Sequence, residues 1–294
     1  MYKLSEVYEE GFNSLNDFFK FISEKLITRE HDYGFRGHAS DAWKLEPTLI
    51  RFVDTIEAMY PGSQLDREFM TKLALKRLYD GFKRNLIINS DLPQDRVEKI
   101  DLWQYGQHFG LPSPLLDWTH SPYVALFFAL SSNAQGGDVS KRCVWVLSLE
   151  LMERINENVL SEIRPKFKER IKPEEFLNEQ FPILEIVQET NENNKRIAFQ
   201  QGFSTRHGYY RSLDVWLNRI VPELPFTNSD RHALQKLIFP CTEMERVAML
   251  DKLDRMNINN RTLFPDIFGS VKDAVDSTFR SFQAPRYKHY RFSK

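Results

Sequence analysis

Apolar and polar positions along the chain form two kinds of pattern, one with helical spacing and one typical of strands. Helical stripes run over Leu15–Ile27 and Asp66–Ile88, and the second is the clearest in the chain. The run from Tyr123 to Leu130 has almost no polar face, so it predicts a buried helix. Ser121 and Pro122 stand directly before it, as a good N-cap and a first-turn proline.

Shorter apolar runs, rich in β-branched and aromatic residues, lie between these helices and predict strands. The strands are predicted at Phe35–Gly37, Leu115–Thr119, Arg142–Leu149, Arg196–Phe199 and Leu237–Phe239. Further helices are predicted at Gln94–Trp103, at Ser212–Ile220, and from the capping box of Thr242 and Glu245 through Met256. The charge-dense stretch from Glu150 to Glu189 predicts a helical insertion or lid-like layer, with a helix that starts near Pro173.

Composition sets broad limits on the class of protein. A chain of 294 residues with 41% hydrophobic content can bury a core, as one large domain or as a domain with an insertion. The net charge of only -1 excludes a strong global attraction to nucleic acid or membranes. Cys143 and Cys241 stand in apolar runs, and no apolar stretch approaches the length of a bilayer span. We therefore expect a cytoplasmic protein that does not enter a membrane.

The C-terminal segment, residues 270–294, becomes basic and aromatic. Its last sixteen residues contain five Lys or Arg and no acid, and phenylalanines and tyrosines are interleaved with them. Cations pair with phosphates and aromatic rings stack on bases, so this composition favours contact with single-stranded nucleic acid. Basic tails also serve as solubilising or docking segments, and the sequence leaves that alternative open.

Motifs of several enzyme classes are absent from the chain. There is no glycine-rich phosphate loop with Lys-Ser/Thr, no GxSxG, no HExxH and no pair of CxxC knuckles. His108 and His120 flank a Gly/Pro turn, but carboxylates at ligand spacing do not accompany them. The sequence predicts no metal site.

The stretch from Leu102 to Leu130 concentrates polar, aromatic and turn-forming residues, and it predicts a strand, a loop and a buried helix in succession. Such a junction is a common place for a site, but a well-capped core helix gives the same pattern. Arg36, between an aromatic residue and a glycine, has two interpretations as well. It is either half of a structural ion pair or a fork for an anion such as phosphate.

Four ordered motifs resemble the FRG-domain family, over roughly Phe35 to Gly269. They are Phe35-Arg36-Gly37; the run from Gln107 through Leu115–Thr119 to the helix at Ala125–Ala129; the segment from Arg196 to Phe203; and Thr262–Asp266. The family label by itself implies little chemistry. Its members are often found in bacterial and phage defence settings.

The order of these motifs is also similar to the ADP-ribosyltransferase fold, and this second resemblance implies a mechanism. It implies that Arg36 binds the pyrophosphate or adenylyl ribose of NAD, and that Thr119 or Ser121 organises the second strand. Gln200 or Gln201 then takes the third place, where that group usually has a glutamate. A glutamine cannot act as a base, so either Asp117 or His108 takes over proton transfer, or catalysis rests on positioning alone, or the fold has lost its activity in this chain. The resemblance further implies a cofactor pocket of Arg36, Gly37, His38, Tyr105, Gln107, Thr119 and Ser121.

Each of these side chains also has a purely structural interpretation. Asp117 would cap a turn, Ser121 would cap its helix, and Gln200 would satisfy a strand edge.

Together these observations predict an α+β fold of one FRG-type domain over residues 1–294, with a small, split, ADP-ribosyltransferase-like β-sheet core wrapped by helices and a helical insertion at 150–190. The expected function is NAD-dependent ADP-ribosylation by a toxin or phage-defence effector, with nucleic acid as the expected acceptor and an antitoxin protein as a partner. The alternative is a non-catalytic module that binds a nucleotide or a partner in the same pocket.

Overall fold

The structure is a computed structural model, and it describes nine stretches of the chain. These are residues 7–27, 32–61, 66–89, 102–131, 140–163, 183–187, 195–208, 212–220 and 232–283. All statements of structure below concern these residues.

Seven described strands form one mixed sheet. They are β1 (Tyr8–Gly11), β2 (Tyr33–His38), β3 (Leu115–Thr119), β4 (Lys141–Ser148), β5 (Leu184–Val187), β6 (Gly202–His207) and β7 (Leu234–Pro240). Their order across the sheet is β1-β7-β4-β2-β3-β6-β5. The β1–β7 pair is parallel, and the other neighbouring strands are antiparallel.

Helices cover both faces of this sheet. They are α1 (Leu15–Phe21), continued by a π-helical turn at Ile22–Leu26, α2 (Thr48–Met59), α3 (Arg67–Asn89), α4 (Leu102–His108), α5 (Pro122–Ser131), α6 (Leu149–Ile163), α7 (Lys195–Gln200), α8 (Leu213–Ile220), α9 (Glu243–Arg255), α10 (Asn260–Leu263) and α11 (Ile267–Gln283). The apolar cluster on one face joins α1, α5 and α9 to β2, β4 and β7. The cluster on the other face joins α6 and α8 to the central strands.

Backbone pairing between neighbouring strands is shortest between β2 and β3. Strand β2 pairs with β4 along its whole length, from Tyr33 opposite Ser148 to His38 opposite Cys143. On its other edge, only Phe35 pairs with a residue of β3, Thr119. The two strands diverge beyond this pair, and a cavity lies at the divergence.

The α+β class is confirmed, and the sheet is larger than the small core that the sequence predicts. Most predicted elements are present, including β2, β3, α5 with Ser121 at its N-terminus, and the capping box that opens α9. The strands β1, β5 and β6, most of helix α4, and the helices α2, α10 and α11 were not predicted.

The strand predicted at Arg196–Phe199 is wrong, because these residues lie in α7. Gln201 ends that helix with a φ of 48°, and the strand that follows is β6. The run Ile197-Ala198-Phe199 is apolar enough for a strand, but Phe199 is exposed on a short surface helix. A run of three apolar residues is too short to distinguish the period of a helix, 3.6 residues, from that of a strand, two residues.

The stretch predicted as a helical insertion contains both kinds of element in its described part. Helix α6 occupies its beginning, whereas β5 joins the edge of the sheet. Residues 164–182 and 188–190, with the helix start predicted near Pro173, lie outside the described residues. So does most of the helix predicted at Gln94–Trp103, of which the structure describes only the part from Leu102 onward.

No helix in the described ranges combines the length and the hydropathy that a bilayer crossing needs. The same ranges contain no cluster of three or more His, Cys, Asp or Glu side chains that could hold a metal ion.

Candidate functional site

The cavity between β2 and β3 has a volume of about 890 Å³. This lies within the ~300–1,000 Å³ that small-molecule and cofactor sites occupy. Its polar and aromatic lining includes Arg36, His38, Trp43, Arg51, Gln107, His108, Asp117, Thr119, Phe128, Arg196, Gln200, Ser204 and Phe264. The lining comes from β2, β3 and β6 of the sheet and from α2, α4, α5, α7 and the segment after α10.

Asp117 is the one exposed residue of β3, although this strand lies inside the sheet. Its neighbours Leu116 and Trp118 are buried in the core on the opposite face. Its Oδ1 accepts hydrogen bonds from Nε2 of Gln107 (2.5 Å) and from the hydroxyl of Ser204 (3.1 Å). Among the described residues, its Oδ2 accepts none. The site thus holds a carboxylate in a fixed position, with one oxygen available to a ligand.

Arg36, on β2, contacts the backbone of Asp117. Its Nη1 donates to the backbone carbonyl of Asp117 (2.6 Å), and its Nε donates to Nε2 of His38 (3.2 Å). Burial lowers the pKa of the guanidinium, the negative charge of Asp117 opposes this shift, and Arg51 adds to it. Within the described part of the chain, Nη2 has no hydrogen-bond partner. Arg36 is therefore held by two bonds and keeps donors for an anion.

His38 orients this arginine. Its Nδ1 lies 3.3 Å from the backbone carbonyl of Trp43, which fixes the tautomer with a proton on Nδ1, so that Nε2 can accept from Arg36. Burial is the largest cause that lowers the pKa of His38, the neighbouring positive charge of Arg36 is the next, and the pKa falls to about 3. The imidazole is neutral near pH 7 and acts as a hydrogen-bond acceptor for the guanidinium.

Thr119 and Gln200 lie at the cavity wall, but their polar atoms join structural elements. The Thr119 hydroxyl donates to the carbonyl of Gln200 (2.6 Å) and accepts from the backbone N–H of Ser121 (3.0 Å). The side-chain amide of Gln200 donates to the carbonyl of Leu263 (2.9 Å). These bonds fix β3 against α7 and α10. The structural interpretation of Gln200 is corrected in one respect, because the residue lies in α7 and its amide joins two helices instead of satisfying a strand edge.

Two other predicted residues line the cavity. A Cβ on Gly37 would lie 1.9 Å from the carbonyl oxygen of Ala125, so this glycine lets α5 pack closely against β2. His108 is half-buried at the end of α4, where it lines the cavity beside Gln107.

Three predicted residues lie outside the lining. The ring of Tyr105 contacts Phe82 and Phe109 instead. Ser121 caps α5, because its hydroxyl accepts from the backbone N–H of Val124. Gln201 is exposed, and its carbonyl accepts from the backbone N–H of His120.

Several lining residues were missed by the sequence analysis. Arg51 on α2 and Trp43 before it lie near Arg36, and Ser204 on β6 binds Asp117. Arg196 and Phe264 also line the cavity, and the guanidinium of Arg196 lies 4.7 Å from the ring centre of Phe264. Arg196 and Phe264 stood in motifs that had been singled out, whereas no local pattern marks Arg51 or Ser204.

Comparison with known proteins gives one match. Residues 31–137 match the family model of the FRG domain. The match runs from the start of β2 past the end of α5, so it contains Arg36, His38, Gln107 and Asp117. Arg196, Gln200 and Ser204 lie beyond it.

This match supports the FRG-domain resemblance for little more than a third of the chain's 294 residues. No curated protein and no solved structure matches the chain.

The arrangement can bind an anion and transfer a proton. Arg36 offers a charged fork, Asp117 offers a carboxylate oxygen, and the rings of Trp43, Phe128 and Phe264 offer apolar surface for a planar group. A ligand with phosphates, hydroxyls and an aromatic ring would use all three.

Proposed function

We propose that the protein is an NAD-dependent ADP-ribosyltransferase whose cavity between β2 and β3 binds NAD. The observation that supports this most strongly is the pair formed by Arg36 and Asp117. Each side chain is held by hydrogen bonds within the protein, and each keeps a polar atom for a ligand at the same cavity wall. A cavity of about 890 Å³ is large enough for a dinucleotide.

In the proposed reaction, Arg36 binds the pyrophosphate of NAD and thereby positions the nicotinamide ribose. The bond between C1′ of that ribose and the pyridinium nitrogen breaks, and nicotinamide leaves as a neutral molecule with the electron pair. The acceptor's oxygen or nitrogen forms the new bond to C1′. Its proton passes to Asp117, which takes the role for which Gln200 has no suitable group.

Asp117 has a second role in this proposal. Positive charge develops on the ribose ring as nicotinamide departs, and a fixed carboxylate stabilises that charge more effectively than mobile water does. Gln107 and Ser204 hold Asp117 in place, so they act as positioning residues.

Nucleic acid is the proposed acceptor. The support comes from the sequence, since residues 284–294 carry four Lys or Arg and no acid. These residues lie outside the described structure. A role as a toxin or phage-defence effector, restrained by an antitoxin protein, belongs to the same proposal and rests on the family resemblance alone.

A second candidate function is a non-catalytic module that binds NAD or another nucleotide. It is favoured by the structural use of Thr119 and Gln200, whose hydroxyl and amide hold elements of the fold together. The described part of β6 also places no carboxylate at the cavity wall, and Ser204 is the residue opposite Asp117. This too is compatible with a module that binds without catalysis.

The two functions differ in whether label is transferred. NAD radiolabelled in its adenylyl phosphate is incubated with the protein and cell lysate, and the products are then treated with nuclease or with protease. The transferase should leave label on a polymer that nuclease destroys. If only protease removes the label, the acceptor is a protein and not a nucleic acid. Binding of NAD without label on either polymer would favour the module.

Three variants identify the residues. Asp117→Asn keeps the shape and removes the charge, and it should reduce transfer about 100-fold, within the range of general acid–base catalysis. Arg36→Lys keeps the charge but loses the fork, so NAD binding should weaken. Asp80→Asn, an exposed aspartate on α3 away from the cavity, is the matched control and should retain full transfer. If all three variants are equally active, the cavity between β2 and β3 is not the site of the reaction.

A further inference from the structure

Helix α11 turns its apolar side chains toward solvent. The exposed fractions are 84% for Ile267, 61% for Phe268, 59% for Val271, 47% for Val275, 66% for Phe279 and 76% for Phe282. At 3.6 residues per turn these six side chains fall on one face of the helix, which we call the α11 face. Surface helices normally point such a stripe at the core.

The opposite side of α11 attaches it to the protein. A Cβ on Gly269 would lie 1.9 Å from the carbonyl oxygen of Phe264, so the glycine permits close contact with the segment after α10. The carboxylate of Asp276 accepts from the side-chain amide of Asn260 (2.6 Å). The helix is therefore held by its polar side, and its orientation leaves the α11 face outward.

Five of the six residues of the α11 face, all except Ile267, are spaced symmetrically about Val275. Val271 and Phe279 lie four positions before and after it, and Phe268 and Phe282 lie seven positions before and after it. Two copies of such a helix, antiparallel about a two-fold axis through Val275, would place Phe268 against the partner's Phe282. Val271 would meet the partner's Phe279. In an isologous interface residue i contacts residue j of the partner and j contacts i, so this spacing brings apolar side chains together along the whole contact.

The exposed area also fits a dimer. A phenylalanine buries roughly 200 Å² at full burial, so the three phenylalanines of the face, at their exposed fractions, leave about 400 Å² open. With the isoleucine and two valines the face offers roughly 700 Å², close to the ~800 Å² that each partner contributes to a standard interface. The six side chains are uncharged, so pairing the face with itself brings no like charges together.

We propose that the α11 face is a self-association surface, on which two copies of the chain pair their α11 helices antiparallel. The proposed function plays no part in this inference, although Phe268 also contacts two residues that line the cavity. Its ring centre lies 6.3 Å from that of Phe264 and 6.0 Å from the guanidinium of Arg196. Large exposed apolar patches mark interaction sites, and here the spacing about Val275 and the exposed area both fit a second copy of the chain as the occupant.

Sedimentation of the full chain at several concentrations tests this proposal. The wild type should show the mass of two chains. Val275→Glu would place two carboxylates at the axis and should raise the dissociation constant at least tenfold, giving one-chain mass at the same concentrations. Met244→Glu is the matched control, because Met244 on α9 is 85% exposed outside the face, and this variant should sediment like the wild type.

The antiparallel orientation has its own test. Phe268→Glu and Phe282→Lys should each give monomers, whereas the double variant should recover the dimer, because each new carboxylate then meets the partner's new ammonium. Circular dichroism verifies that every variant is folded. If the wild type has the mass of one chain at all concentrations, the proposal is wrong. The α11 face is then covered by another occupant, such as residues 284–294, a lipid or another protein. A dimer that survives Val275→Glu, or a double variant that stays monomeric, overturns the pairing.

Discussion

The two edges of β2 differ in pairing and in what they hold. Toward β4, every residue from Tyr33 to His38 has a strand partner, and the neighbouring side chains of β4 are buried. Toward β3, one pair remains, and next to it lie an exposed carboxylate and an arginine with unused donors. The same strand thus contributes to the core on one edge and to the candidate site on the other.

This difference shows what a binding site costs the fold. On the β4 side, pairing satisfies the backbone N–H and C=O groups, and the paired side chains of β4 are buried, so no backbone polar atom is left for a ligand. Where β2 and β3 diverge, polar groups are held by a few specific hydrogen bonds instead. We therefore expect substitutions on the packed side to affect stability and substitutions on the divergent side to affect ligand binding.

The largest effect should come from Gly37→Ala. The new Cβ would lie 1.9 Å from the carbonyl oxygen of Ala125 and 2.6 Å from the backbone nitrogen of Ala129, so α5 would have to move. We expect a loss of about 3 kcal/mol or more in the free energy of unfolding. Denaturant titration measures it. Gly11→Ala on β1, where a Cβ meets nothing within 4 Å, is the control and should change stability by less than about 0.5 kcal/mol. Equal losses at both positions would contradict the close packing of α5.

A smaller effect should appear in the pH dependence of stability. The pKa of His38 is about 3 in the fold and 6.5 as its ordinary value, so only the unfolded chain binds this proton between those pH values. Stability from this group is complete above pH 6.5 and falls as the pH decreases toward 3. At about pH 5 the loss is about 2 kcal/mol.

Thermal unfolding of the wild type and of His38→Gln is compared at about pH 7.5 and about pH 5. The other titrating side chains are the same in both proteins, so the difference between the two losses is the contribution of His38. The variant should lose less stability on acidification. An identical loss in the two proteins would place His38 in contact with water rather than with Arg36 and Trp43.

Two neighbours on β6 offer the finest comparison. Thr205 accepts from the buried indole N–H of Trp118 (2.8 Å), whereas Ser204 donates to Asp117 at the cavity. Thr205→Val leaves the indole without its partner and should cost about 1.5 kcal/mol. Ser204→Ala removes one of two hydrogen bonds to Asp117, whose exposed carboxylate water can solvate, so it should cost less stability than Thr205→Val and weaken ligand binding instead. Chemical denaturation and NAD titration of both variants check this division, and a reversal of the two effects would contradict it.

Much of the fold is predictable from the sequence, since long periodic segments determine their own structure. The buried helix α5 and the capping box of α9 are read from local residues. The strand predicted at Arg196–Phe199 fails because the run is short, and the helix depends on a turn at Gln201 that has no glycine. The edge strands β1 and β5 are four residues each, too short for a period to show.

The candidate site was predictable only in part. The sequence motifs contain Arg36, Gln107 and Asp117, because these residues stand beside turns and apolar runs that can be recognised. The role of Ser204 depends on a contact between β6 and β3 that only the folded sheet creates. The role of His38 depends on its contacts with Arg36 in the same strand and with the backbone carbonyl of Trp43. The structural use of Thr119 and Gln200 likewise follows from bonds to distant backbone groups.

The central claim is that the divergence of β2 and β3 forms an NAD site. Isothermal titration calorimetry of the purified protein with NAD tests it most directly. The account predicts saturable binding of one NAD per chain, at least tenfold weaker in Arg36→Lys and unchanged in Asp80→Asn. Absence of binding to the wild type at millimolar NAD, or binding that Arg36→Lys leaves unchanged, would contradict it.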